Sequence, residues 1–392
     1  MTSQDNKNTH ALVPFLLLCL IGFATFFSSY LRIPVLPLFA ATLGAGPAQV
    51  GLINGAFMLT AGLFSIPAGL LADRTGRKLP IIVGIIATAV SSLLVTQCQQ
   101  PGQMAAAYVL FGLGLAAFAP GMLSLVADVM PSNRLGQAYG WYTMAVYFAM
   151  TLGPAMGGYL AKALGLREVF LVSGSLLIVV VLLALLVLPQ GPPRHKTELH
   201  LMLSASLELL HNRQLQACLM VTVGSCIGFG VFLTFLPLYA ASQGQDPARV
   251  GMVFAAQALT NVVGRIPIGR LADRVDRHRI VVTGLICLAV ALAALGQATQ
   301  LFQMVSCAVV LGVGMSLTFT AIGALIAEQI SAVQRGLAMG MYNSCIYLGM
   351  MTGSTVMGVA LKKIGYPVGF VFAGSVALVS LLWFNQMIRN RL

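Results

Sequence analysis

Apolar residues run for some twenty positions at a time along this chain, and short polar clusters interrupt them at near-regular intervals. The runs fall at 12–40, 48–72, 79–97, 103–130, 135–161 and 168–189, then at 213–241, 247–271, 279–298, 302–329, 335–361 and 366–388. Each can cross a hydrocarbon core, which takes roughly 20 residues in helical form. Continuous apolar stretches predict helices, because barrel strands alternate in character over about ten residues. A helix also satisfies its backbone polar groups internally, as lipid requires. The pattern predicts an all-α membrane protein of twelve transmembrane helices.

The two sets of six runs are copies. Gly69 to Lys78 (GLLADRTGRK) returns without a gap as Gly269 to His278 (GRLADRVDRH), and the same shift of 200 residues pairs Pro37 with Pro237, Gly51 with Gly251, Pro67 with Pro267, Tyr147 with Tyr347 and Gly153 with Gly353. One duplication of half the chain predicts two facing six-helix bundles, an arrangement typical of transporters. The expected organisation is an N-terminal bundle over 1–189, a cytoplasmic linker over 190–212 around Gly191-Pro192-Pro193-Arg194, and a C-terminal bundle over 213–392.

Composition fits lipid as the main solvent: 58% of residues are hydrophobic and 8% charged, with mean hydropathy +0.90, against about 25% charged in soluble domains. The net charge of +12 sorts by loop. With the N-terminus inside, fifteen Lys and Arg fall on the cytoplasmic side and five (Lys162, Arg167, Arg249, Lys362, Lys363) outside, as the positive-inside rule expects. Both termini are thus placed in the cytoplasm and the charge is read as topology, not as a nucleic-acid footprint. The seven cysteines stand singly in or beside apolar runs, and all five histidines fall in cytoplasmic segments. Neither a metal site nor a hydrolytic centre has candidate residues, and no cofactor or enzyme activity is expected.

The repeated loop has its own chemistry. Gly69 permits close helix approach and Asp73 can accept from a facing helix start. Arg77 can pair with Asp128 at the end of the fourth run, and Asp273, Arg277 and Glu328 repeat the relation. Each half could carry one cytoplasmic latch built from Gly69, Asp73, Arg74, Gly76 and Arg77 or their mates. A solvated basic loop obeying the positive-inside rule is the plainer alternative.

Gly69 to Lys78 resembles the loop signature G-x-L-A-D-R-x-G-R-K of the major facilitator superfamily. Gly153-Pro154-Ala155-Met156-Gly157-Gly158 resembles the G-P-x-x-G-G motif of its twelve-helix drug:proton antiporters, where such a packing face helps control leak. The resemblance spans the chain and implies a monomer working by alternating access, with protons as the coupling ion. Two departures stand out. The fourth-helix signature R-x-x-Q-G is replaced by Tyr108, Phe111 and Gly112. None of the ten acids is expected at the bilayer centre, so no conventional proton carrier is visible.

Charged and polar residues inside the runs supply the substrate-site candidates. Arg32 is costly in a membrane segment, by about 2.5–3.5 kcal/mol on insertion scales. It faces either an anionic substrate group or, by snorkelling, the outer headgroups. Arg265, four residues before Gly269, is expected to snorkel or to support the latch. Asn54, Gln257, Asn261, Asn343, Tyr147 and Tyr347 interrupt the gating helices at repeat-related places and are expected to line a shared cavity or to bond between helices. The leading reading is a secondary active transporter exporting a small amphipathic solute from the plasma (bacterial inner) membrane. An organic-anion or lipid transporter using Arg32 is the alternative, and a transport-dead sensor is a third class.

Overall fold

The computed structural model describes residues 3–130, 134–189, 209–272, 274–330 and 334–389. Most of the expected linker and Asp273 lie outside the described residues, as does the Asp73 side chain. The elements are α1 (Ser3–Tyr30), α2 (Leu36–Thr42), α3 (Pro47–Thr75), α4 (Lys78–Gln97), α5 (Pro101–Val129), α6 (Leu135–Leu164), α7 (Leu166–Val187), α8 (Arg213–Ser242), α9 (Pro247–Ala272), α10 (Arg277–Leu295), α11 (Leu301–Gln329) and α12 (Arg335–Arg389). Nine stretches among the described residues qualify as membrane spans by length and composition. The last, Leu337–Met387, holds two spans that turn at Gly365, whose φ of 73° suits a residue without Cβ. The less apolar α6 and α9 complete the set of twelve, since α1 and α2 together make one crossing.

That first crossing departs from the single helix predicted over 12–40. Residues 31–35 form turns, because Pro34 has no N–H to continue the ladder. The N–H groups of Val35 and Leu36 both donate to the Arg32 carbonyl instead, at 3.1 and 2.9 Å. In the second half Thr234 occupies the position of Pro34, and α8 runs unbroken from Arg213 to Ser242.

Each half has its own apolar core. In the first, Phe15, Leu18, Ile85, Phe118 and Leu177 pack near the termini, and Leu31, Phe39, Phe111 and Phe170 pack at the far end. The second half repeats this with Ile280, Leu285 and Phe384, then Phe232, Phe235, Leu288 and Phe370. Two pairs of hydroxyls buried between helices bond to one another, Ser92 to Ser173 at 3.2 Å and Thr234 to Ser354 at 2.6 Å, which removes the cost of leaving those groups dry and unpaired.

The halves meet along two helix pairs, α3 with α12 and α6 with α9. Both contacts tighten at the end of the bundle away from the termini, where glycines bring backbones together. A Cβ on Gly158 would sit 3.1 Å from the Gly251 Cα, and one on Gly358 would sit 3.4 Å from the Gly51 Cα. These two contacts are related by the 200-residue repeat. At the end near the termini, a Cβ on Gly69, Gly140, Gly269 or Gly340 would meet nothing within 4 Å.

Candidate functional site

Midway between the tight and open ends, residues from both halves converge. Arg265 on α9 extends across the interface, and its Cζ lies 4.3 Å from the ring centroid of Tyr147 on α6. Its Nε donates to Asn261 Oδ1, one turn earlier on α9, at 3.3 Å. Tyr147 and Arg265 are both within electrostatic reach of the Tyr342 hydroxyl on α12, and Tyr147 and Tyr347 are within reach of that of Tyr30 at the end of α1. Tyr347 packs edge-on against Phe57 of α3, with centroids 6.3 Å apart. The level is thus one guanidinium, one amide and several phenols, drawn from α1 and α6 on one side and α9 and α12 on the other.

Arg265 does not snorkel toward the headgroups. Position along α9 alone set that expectation, whereas the helix turns this side chain toward α6, where an aromatic face attracts the cation. The signals pointing to Tyr30 and Tyr342 were weak: one phenol beside Arg32, and one repeat mate of Tyr142.

Arg32 lies elsewhere, in the core of the first half and 0% exposed. Its Cζ is 3.5 Å from the Phe111 centroid and 5.6 Å from that of Tyr108. Its Nε donates to the Ser29 carbonyl at 3.3 Å, while Nη1 and Nη2 have no hydrogen-bond partner. The guanidinium covers the two rings that stand where the resembled fourth-helix signature has its Arg and Gln. Burial of this degree excludes headgroup anchoring in the arrangement described.

The remaining candidates divide. Gln257 is buried and donates to Met315 Sδ of its own half at 3.2 Å. Asn54 is buried on α3 and Asn343 is exposed on α12. Gly153 and Gly157 of the G-P-x-x-G-G segment pack on the end of α1 at Phe27, Tyr30 and Leu31, while Gly158 and the Pro154 carbonyl meet α9. The segment therefore braces the broken crossing and touches the other half at once.

In the loops, Arg77 forms an ion pair with Asp128 and Arg277 forms one with Glu328. The first pair is buried, with 3% and 11% of the side chains exposed, and the second is open at 23% and 59%. Gly69 lies within the last turns of α3 and Gly76 ends that helix with φ of 84°, and the Arg74 side chain is exposed. At the opposite end a third pair spans the halves: Lys162 Nζ donates to Asp246 Oδ2 at 2.8 Å. That hydrogen bond, with another from the Arg249 N–H, holds the Asp246 carboxyl below the usual carboxylate range.

The family model described as Major Facilitator Superfamily matches residues 18–245 and again 218–390. The chain belongs to the major facilitator superfamily. It is therefore a multi-pass membrane transporter of a small molecule and not an enzyme. An uncharacterised MFS-type transporter of Methanocaldococcus jannaschii is 26% identical over 358 residues, covering 89% of this chain and 92% of that protein. Multidrug resistance protein MdtG of Citrobacter koseri is 27% identical over 374 residues, covering 92% and 91%. Among solved structures, the nucleoside transporter NupG aligns with a TM-score of 0.82 at 15% identity, covering 95% of this chain and 99% of its own. A bacterial homologue of the human lysosomal transporter Spinster, in an inward-facing and unoccupied conformation, aligns with a TM-score of 0.82 at 17% identity, covering 97% of each. These structures share the fold of this superfamily member.

Proposed function

We propose that this protein is a secondary active exporter that moves a small amphipathic solute by alternating access. The observation that carries this reading is the one-ended contact between halves: repeat-related glycines join them at one end, a polar and aromatic level follows, and open glycines lie at the other. Likeness to MdtG along most of both chains supports efflux of drug-like compounds. The Lys and Arg tally supports both termini in the cytoplasm of the bacterial inner membrane, so the open end faces the cytoplasm and receives solute from there. The protein works as a monomer with protons as the coupling ion.

On this reading Arg77–Asp128 and Arg277–Glu328 are cytoplasmic latches within each half, and Asp73, Arg74 and Asp273 belong to the same latches by their places in the repeated sequence. Gly153, Pro154, Gly157 and Gly158 form a seal against leak. Asn54, Tyr147, Gln257, Asn261, Asn343 and Tyr347 serve the path. A second reading, transport of organic anions or lipids with Arg32 as ligand, is favoured by the two unpartnered Arg32 nitrogens. It requires the tight end to part first, since Arg32 is fully buried.

The test is uptake of a fluorescent amphiphile into everted membrane vesicles under an imposed proton gradient. Export predicts gradient-dependent accumulation that collapses with a protonophore. Accumulation that ignores the gradient, or none across anionic, neutral and cationic amphiphiles, would remove the reading.

A further inference from the structure

A guanidinium set between two membrane bundles needs a carboxylate or a ligand to neutralise it, because an uncompensated charge at low dielectric is costly. Among the described residues Arg265 has no such carboxylate. Its neighbours Asn261 and Tyr147 bring no carboxylate, and no ion pair among the described residues includes it. The acids whose side chains are described, Asp128, Glu168, Asp246, Asp276 and Glu328, all sit at or beyond helix ends. The side chain is half-buried, whereas that of Arg32 is fully buried.

The surroundings fit a particular ligand. Nε is committed to Asn261 Oδ1 and the guanidinium plane to the Tyr147 ring, which fixes the group at its root and one face. The terminal nitrogens remain as a planar fork, the geometry that receives an oxyanion through two parallel hydrogen bonds. Tyr147 of the first half lies against the guanidinium and Tyr342 of the second is within its electrostatic reach, and such rings suit an aromatic or aliphatic body while their hydroxyls serve a polar edge. Among the described residues no carboxylate here complements a cation, and a cation bound beside Arg265 would place like charges together.

We infer that Arg265 anchors the substrate and that the substrate is an organic anion, an oxyanion headgroup on an apolar body. This rests on the transporter reading and names the substrate class for its site. It places the anion ligand on α9, in contact with the opposite half, and not at Arg32. Because Tyr147 and Arg265 belong to different halves, the anion would bind where the halves touch.

The experiment is equilibrium binding to the purified protein in a neutral detergent with three probes of one body: 2-naphthoate, its methyl ester and 2-naphthylmethylamine. The carboxylate is expected to bind best. Arg265→Gln should weaken it roughly ten- to a hundred-fold, the scale of a lost charge-assisted pair, and Arg265→Lys should retain part of the affinity. Arg265→Lys also keeps the test open if Arg265→Gln fails to fold. Equal binding of ester or amine, or an Arg265→Gln protein that binds naphthoate normally, would overturn the assignment. Competition by lysophosphatidate in wild type but not in Arg265→Gln would support the same site with a lipid as the source of the anion, and absence of competition would support a soluble anion. Gradient-driven movement of the ester by both proteins, with no naphthoate binding, would sink the anion assignment and leave the transporter standing. Failure of wild type to move any probe would sink the transporter reading instead.

Discussion

The halves share a backbone plan yet differ sharply at matched positions. Where the first has Arg32 over Tyr108 and Phe111, the second has Phe232, Ala308 and Leu311, with Phe232 edge-on to Phe254 at 5.2 Å. Where the second has Gln257, Asn261 and Arg265 on α9, the first has Phe57, Ala61 and Ser65 on α3. One seam between the halves therefore carries a cation on an aromatic ring, and the other carries Phe57 on Tyr347 and the Ser354 hydroxyl toward Met58 Sδ at 3.7 Å. Duplication decides where the helices touch, through glycines that recur at a shift of 200. Chemistry resides in the positions where the copies disagree.

The largest expected effect separates the two loop pairs. Asp128→Asn leaves Arg77 buried without its carboxylate and should cost about 3–5 kcal/mol, whereas Glu328→Gln opens an exposed pair and should cost under about 1 kcal/mol. Thermal unfolding of both variants in detergent checks this. Equal losses would erase the difference between the halves at this end.

Next are the glycine contacts, where the halves should behave alike. Gly251→Leu and Gly51→Leu each push a side chain into facing backbone, and overpacking of this kind costs about 1–3 kcal/mol. Both should enrich molecules parted at that end, read as longer distances between spin labels at Thr42 and Ser242. A response from only one of the two would break the equivalence.

Smaller still is the pair that lacks a repeat mate, since Gly46 stands where Asp246 would be mirrored. Lys162 and Asp246 are partly exposed, so Asp246→Asn should favour parting by only about 0.2–1 kcal/mol. Because contact lowers the Asp246 pKa, its contribution is fully present above the ordinary carboxylate value and fades as pH falls through the lowered one. The same label pair measured in acid should therefore move toward the Asp246→Asn result. An identical distribution across that range would contradict the role.

The smallest effect is expected at Arg32. Its mate Phe232 shows that an apolar side chain suits the position, and apolar replacement of a buried charge is often neutral or stabilising. Arg32→Met should leave the melting temperature unchanged or raised and naphthoate binding intact. Loss of binding would return the anion site to the first helix.

Much of this was legible in the sequence. Run lengths revealed the helices, and the ungapped repeat of Gly69–Lys78 revealed the halves, because glycine and charge at fixed spacing leave few alternatives. Arg77 with Asp128 could be paired because both lie at helix ends, where connectivity limits their separation. Arg265 could not be placed, because position along a helix gives depth but not which neighbour the side chain faces. Tyr30 and Tyr342 were hidden likewise as single aromatics in apolar runs. The turn at 31–35 had a visible signal in Pro34, but the unbroken hydrophobicity around it concealed the break.

The central claim is that the halves part at one end as they close at the other. Spin-label distances at both ends test it most directly, with Gln137 and Met339 marking the open end and Thr42 and Ser242 the joined end, in a protein whose native cysteines are replaced. The account predicts two populations in opposition, so that conditions shortening the 137–339 distance lengthen the 42–242 distance. Distances that stay single-valued at both ends, or lengthen together, would contradict it.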